Sequence, residues 1–118
     1  MKETFRPHER IKKKNDFLFI YKQGKRYRGK YFILIYIFSD LSFSRMAVVA
    51  GKKMGNAVKR NKIKRRMREL FRQHKSLLVT PLDMIFLPQK EIHEASWQEL
   101  QKDYAEALNS VSQKKQAL

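Results

Sequence analysis

The 118 residues carry 27 Lys and Arg against 11 Asp and Glu, a net charge of +16, and 42% of them are hydrophobic. That length suits a single domain spanning 1–118, and the apolar share suffices for a core, so a disordered basic tail does not fit. With no cysteine, disulfides, thiolate metal sites and a Cys nucleophile are excluded. The longest apolar run, Tyr31–Phe38, is too short to cross a bilayer, and no secretory signal pattern follows Met1. No membrane partner and a cytoplasmic location are therefore expected.

Residues 1–10 are expected to be a mobile end. Asn15 is placed to cap a short helix from Asp16 to about Lys22, with Gly24 where helices commonly stop. Lys25–Arg28 suits a short basic edge strand. The β-branched and aromatic run Tyr31–Phe38 predicts a strand with both faces covered. After a turn at 39–42, Arg45–Ala50 predicts a second strand closed by Gly51. Asn56 then opens the strongest helix, from about Ala57 to His74. Ile63, Met67, Leu70, Phe71 and His74 share an arc of about 100°, while Asn61, Arg65, Arg68 and Arg72 lie opposite. Leu82–Leu87 predicts a further strand, stopped at Pro88. Ser96-Trp97-Gln98-Glu99 is a capping box opening a last helix, with Trp97, Leu100, Tyr104, Leu108 and Val111 on its apolar stripe. The end, 113–118, is expected to fray. Helices and strands in this mixed order predict an α+β fold, an α/β sandwich in which helices cover a small mixed sheet of about four strands.

The charge is focused. Residues 2–30 hold 11 basic and 3 acidic side chains, residues 52–72 hold 10 and 1, and the remainder is nearly balanced. Such patches repel themselves unless a polyanion neutralises them. Nucleic acid is favoured over an anionic membrane surface because the apolar stripes are fully used by a core. On the long helix, Lys52, Lys53, Lys59 and Arg60 gather at the N-terminal end, where free N–H groups and the helix dipole favour an anion. Glu69 is the only acid along it, so the basic stripe is not a ladder of ion pairs. No Ser/His/Asp set, metal-ligand cluster or close carboxylate pair is evident. His8, His74 and His93 are scattered, and His74 falls on the apolar arc, where packing is its expected role.

The run Lys52-Lys53-Met54-Gly55-Asn56-Ala57-Val58-Lys59-Arg60-Asn61-Lys62-Ile63-Lys64-Arg65, followed by Arg68, closely resembles the signature of the bacterial ribonuclease P protein subunit. Asn15-Asp16-Phe17, the aromatic strand and the terminal helix follow in the family's order, so the likeness extends from Arg10 to about Val111. One departure is Lys62, where the family has arginine; charge is kept but the planar fork is lost. The resemblance implies a fold like domain 2 of ribosomal protein S5, in the order α-β-β-β-α-β-α, with the basic helix joining two parallel strands. It implies a protein that does not itself cleave. A large RNA subunit with bound Mg²⁺ removes the 5′ leader of precursor tRNA, and the protein binds that RNA and the leader.

Carried over residue by residue, the family's RNA-subunit contacts fall on Lys53, Arg60, Asn61, Lys62, Lys64, Arg65 and Arg68. Lys52 and Arg72 join them from the charge pattern, and Asn56 as the residue that caps the basic helix. The family's leader cleft, between the first helix and the sheet, maps to Phe17 and Tyr21 and to the strand positions Ile35 and Tyr36. No catalytic residue is expected in the protein, Mg²⁺ is expected mainly on the RNA, and no protein-borne metal site is assigned. The alternatives are a ribosomal protein binding rRNA structurally and, behind it, a nonspecific DNA-binding protein.

Overall fold

The computed structural model describes residues 7–78 and 80–116. Its elements are helix α1 (Lys14–Gln23), strands β1 (Lys25–Arg28), β2 (Phe32–Phe38) and β3 (Arg45–Val48), helix α2 (Ala57–His74), strand β4 (Leu82–Pro88) and helix α3 (Trp97–Gln116). This is the expected element order. The four strands form one mixed sheet in the order β1-β2-β4-β3, with β1–β2 and β2–β4 antiparallel and β3–β4 parallel. Helix α2 joins the two parallel strands.

Strand alternation divides the core in two. On one face Phe32, Leu34, Tyr36, Met46, Met84 and Phe86 meet Ile63, Met67, Leu70 and Phe71 of α2 and Leu100, Tyr104, Leu108 and Val111 of α3. On the other face a smaller cluster joins Ile35 and Ile85 to Ile20 of α1 and to Ile11. The long helices therefore take one side and α1 alone takes the other.

The predicted stripes are the buried ones. His74 donates from Nδ1 to the Leu70 carbonyl at 2.9 Å and packs its ring on Tyr104, so its role is structural. Tyr104 in turn stacks on Phe86, and burial pushes its phenol well above the ordinary value. At α3 the capping box closes both ways: the Glu99 N–H donates to Ser96 Oγ at 3.1 Å and the Ser96 N–H to Glu99 Oε1 at 2.9 Å.

Long-range contacts move the boundaries at the N-terminal end. Asn15 does not cap α1; the N-cap is Lys13, with no side-chain cap, and Asn15 lies inside the first turn. The start is fixed instead by the preceding segment. Arg10 pairs with Met46, and the Ile11 N–H donates to the Met46 carbonyl at 3.1 Å, adding a short parallel bridge outside β3. Residues 9 and 10, expected in a mobile end, pack on the sheet edge, with Glu9 buried and bonded to Lys75 Nζ at 2.8 and 2.9 Å. Residues 1–6 of that end lie outside the described residues, as do 117–118 of the C-terminal end. Helix α3 continues through Gln116.

Gly24 ends α1 with ordinary negative φ, its N–H donating to the Ile20 carbonyl at 2.7 Å. Glycine is needed there for closeness: a Cβ would come within 2.6 Å of the Ile20 oxygen and 2.7 Å of Ile35 Cγ2. Gly24→Ala is expected to cost about 1–3 kcal/mol through overpacking, seen as a lower denaturant midpoint with unchanged slope. Tyr104→Phe is expected to cost less than about 1 kcal/mol or to stabilise, because the hydroxyl is buried with no hydrogen-bond partner among the described residues.

Candidate RNA-binding surfaces

Two surfaces emerge on opposite sides of the sheet. The first is α2. Asn56 caps it, accepting from the Lys59 N–H at 3.0 Å, and Gly55 at φ 108° turns the chain into the cap. His93 Nε2 holds the preceding turn through the Met54 carbonyl at 2.7 Å. With the apolar stripe buried, Lys52, Lys53, Asn56, Lys59, Asn61, Lys62, Arg65 and Arg68 are exposed. Arg60 and Lys64 are half-buried on one flank, and Arg60 Nε has no hydrogen-bond partner among the described residues.

The motif is spread around the helix rather than gathered on one line. Lys59, Lys62 and Arg66 line a groove against Ile92 and His93. On the other flank Arg68 lines a groove with Arg10 and Lys12 over Met46–Val48. Burial first, and the Arg10 charge second, lower the pKa of the Arg68 guanidinium. Arg72 differs from its neighbours. Its Nε donates to Glu69 Oε1 at 2.8 Å and its NH2 group meets the other carboxylate oxygen, so it is already engaged within the helix. Of the residues drawn from the charge pattern, Arg72 is thus the weakest candidate for an external phosphate.

The second surface lies under α1. Arg45, Ala47, Ile33, Ile35, Ile37, Asp83, Ile85 and Leu87 point to this face by register. Helix α1 has ten residues, a length of about 15 Å, against about 23 Å for the seven-residue inner strands. It runs from Asp16 beside Arg45 to Gly24 against Ile35. The row Ile33–Leu87 is left half-buried, and Val49, one residue past β3, is 41% exposed. The expectation of a strand covered on both faces holds only along the middle of β2.

That opening is a cleft with an apolar floor. Its wall is aromatic: Phe17 and Tyr21 lie one helical turn apart with ring centroids 6.2 Å apart and planes within 18°. Phe17 packs partly on the small cluster and Tyr21 is 40% exposed. The strand residues assigned to the cleft need correcting. Ile35 and Tyr36 are both buried, Ile35 beneath α1 and Tyr36 on the opposite face against α2 and α3. The floor residues are instead Ile33, Leu87, Ala47 and Val49. Period-two alternation along Ile33-Ile35-Ile37 carried that signal, but not which end α1 leaves open.

Arg45 sets where α1 lies. Its Nε and NH2 donate to Asp83 at 3.0 and 2.8 Å, and its NH1 reaches Asp16 at 3.2 Å. The Asp83 hydrogen bonds raise the Arg45 pKa above its ordinary value, against the effect of burial. Asp83 is therefore not isolated, as its sequence position suggested. Other acids are similarly committed: Asp103 accepts from the Lys30 and Tyr31 N–H groups at 3.1 and 3.0 Å, Glu9 from Lys75, and Glu69 from Arg72. Among the described residues no group of three or more His, Asp or Glu side chains is placed to hold a metal.

The family model described as Ribonuclease P matches residues 5–112. The chain belongs to the ribonuclease P protein family. It is 37% identical over 94 residues to the ribonuclease P protein component of Thermotoga maritima, covering 80% of each chain. It is 31% identical over 108 residues to that of a Streptococcus pneumoniae strain, covering 92% of this chain and 85% of the relative. The solved ribonuclease P protein of Staphylococcus aureus superposes with a TM-score of 0.78 at 33% identity, over 87% of this chain and 94% of that one. The Thermotoga maritima structure gives 0.77 at 31%, over 85% and 94%. As a ribonuclease P protein component, the chain is one part of an endoribonuclease, and the ribosomal alternative is left without support. Among the described residues no helix is long and apolar enough to cross a membrane.

In this ribonuclease P protein the Arg45 bridge is expected to dominate the seating of α1. Arg45→Met would strand the mostly buried Asp83 carboxylate and cost about 3 kcal/mol or more. Asp16→Asn, at a half-exposed carboxylate, would cost less than about 1 kcal/mol. Paired chemical denaturation curves distinguish the two.

Proposed function

We propose that this chain acts by holding RNA, with α2 against the catalytic RNA subunit and the α1–sheet cleft around the single-stranded 5′ leader of precursor tRNA. On this reading hydrolysis belongs to the RNA subunit and its Mg²⁺, and the chain works in the cytoplasm where that RNA is.

The observation that carries the reading is the pairing of two unlike surfaces on one small scaffold. The α2 face offers exposed cations in excess of any acid beside them, with Glu69 spent on Arg72. Lys52, Lys53, Arg60, Lys62, Lys64, Arg65 and Arg68 would neutralise phosphates, and Asn56 and Asn61 would add neutral hydrogen bonds. That surface suits a folded polyanion, where affinity comes from counterion release. The cleft is of the opposite kind. Stacked Phe17 and Tyr21 over an apolar floor would accept unpaired bases of any identity, which suits a leader whose sequence varies from one substrate to the next.

Reconstitution tests both halves. Added to a bacterial ribonuclease P RNA at low Mg²⁺, the chain should restore 5′ processing of precursor tRNA, whereas the chain alone should leave it uncut. Arg65→Gln should lower the slope of log affinity for the RNA subunit against log salt by about 0.7–0.9. Phe17→Ala should weaken holoenzyme binding of precursor tRNA by about tenfold, since one stacked base is worth roughly 1–3 kcal/mol, and should leave mature tRNA unaffected. Correct cleavage by the protein without RNA, or equal losses for precursor and mature tRNA, would overturn the respective half.

A further inference from the structure

The antiparallel register of β1 places Arg26 opposite Ile35 and Arg28 opposite Ile33. Directly opposed residues in an antiparallel pair share a face, so both guanidiniums belong to the cleft side of the sheet. Tyr27, between them, turns the other way and packs against the main core. The Arg26 guanidinium carbon sits 5.2 Å from the centroid of the Tyr21 ring. Arg28 flanks Ile33, at the end of the floor that α1 leaves uncovered. Both arginines are exposed, and among the described residues neither has a carboxylate within ion-pair distance.

Their placement is held from behind. Gly29 donates to the Phe32 carbonyl at 2.9 Å, and Asp103, from α3, accepts the next two backbone N–H groups. A Cβ on Gly29 would come within 3.0 Å of the Asp103 carboxylate, so the turn after Arg28 sits tightly on that side chain. The cation–π contact with Tyr21 holds the Arg26 guanidinium beside the aromatic wall while its N–H donors stay available.

We propose that Arg26 and Arg28 form a phosphate rail along the β1 edge of the cleft, gripping the sugar-phosphate backbone of the leader while its bases stack on Phe17 and Tyr21. The rail rests on the leader reading above and deepens it. Grooves for single strands combine a cationic track with stacking rings, and here the track and the rings meet at the Arg26–Tyr21 contact. A basic edge strand also discourages association between sheets. Edge protection needs only charge somewhere on the strand; it does not require both arginines to face the aromatic wall.

The test uses reconstituted holoenzyme with Arg26→Gln/Arg28→Gln, Phe17→Ala as the control, and two ligands, precursor tRNA with a single-stranded leader and mature tRNA. The double variant should bind precursor about five- to twentyfold more weakly, with mature tRNA unchanged and the salt slope for precursor reduced by about 1.4. Arg26→Lys/Arg28→Lys should recover most of that slope. An equal loss for both tRNAs, or weaker assembly with the RNA subunit, would overturn the leader assignment. Loss in Phe17→Ala without loss in the double variant would overturn the rail and leave the leader reading standing, and self-association of the double variant at high concentration would then mark β1 as edge protection. If neither variant distinguishes the two tRNAs, the leader reading itself fails. Both arginines are exposed, so an unchanged thermal melt is expected and separates these outcomes from misfolding.

Discussion

The basic helix is held in place against its own charge by one apolar stripe. Like charges at i,i+4 on α2 fall at Arg60–Lys64, Lys62–Arg66, Lys64–Arg68 and Arg68–Arg72, each unfavourable by about 0.2–0.5 kcal/mol. Against them stand Ile63, Met67, Leu70 and Phe71, all buried and each contributing about 1.5–3 kcal/mol. Packing wins several-fold, so α2 can keep its cations without a matching set of acids. The residual repulsion is what a phosphate backbone would relieve.

The same economy shapes the other side. Two long helices cover one face of the sheet and close it; one short helix covers the opposite face and cannot. What remains open is set by where α1 lies across the strands and by the Arg45 bridge, which ties it to the Asp83 end. Both ends of α1, Asp16 beside Arg45 and Gly24 against Ile35, lie toward the Ile35–Ile37 end of the strands, so the Ile33–Leu87 row is left without a helix over it. The cleft is therefore a packing deficit stabilised by a salt-bridged anchor rather than a pocket carved into a complete core.

Local signals in the sequence were reliable and distant ones were not. The capping box at Ser96, the cap at Asn56 and the stripe on α2 each depend on residues a few positions apart, and each stands where the pattern put it. Asn15 shows the limit: it has the right chemistry for a cap, but docking of Ile11 on Met46 starts the helix earlier. Arg45 with Asp16 and Asp83, Glu9 with Lys75, and Asp103 with the β1–β2 turn join residues 29 to 73 positions apart, which periodicity does not see. The strand residues of the cleft failed for a different reason. Alternation separates Ile35 from Tyr36 correctly, yet only the position of α1 decides that Ile33 rather than Ile35 is open.

The two surfaces are joined by a short and well-fixed path. From Val49, at the rim of the cleft floor, the chain passes through Gly51–Gly55 directly into the N-terminus of α2. Each step is held: Val49 N–H to the Phe86 carbonyl at 3.0 Å, Met54 N–H to Gly51 at 2.9 Å, His93 to the Met54 carbonyl, and Lys59 N–H to Asn56. Lys52 and Lys53 lie on this path, between the apolar floor and the cationic helix. On the proposed function these lysines would stand between the leader and the RNA subunit held by α2. If α2 seats on the RNA subunit, the leader's position relative to that subunit is then fixed by a few hydrogen-bonded residues rather than by a flexible loop. On the proposed function this is how the protein assists a reaction whose chemistry belongs to the RNA subunit. It would hold one end of the substrate at a set distance from the RNA that cuts it, because assembly of the holoenzyme fixes the cleft relative to that RNA before each substrate binds.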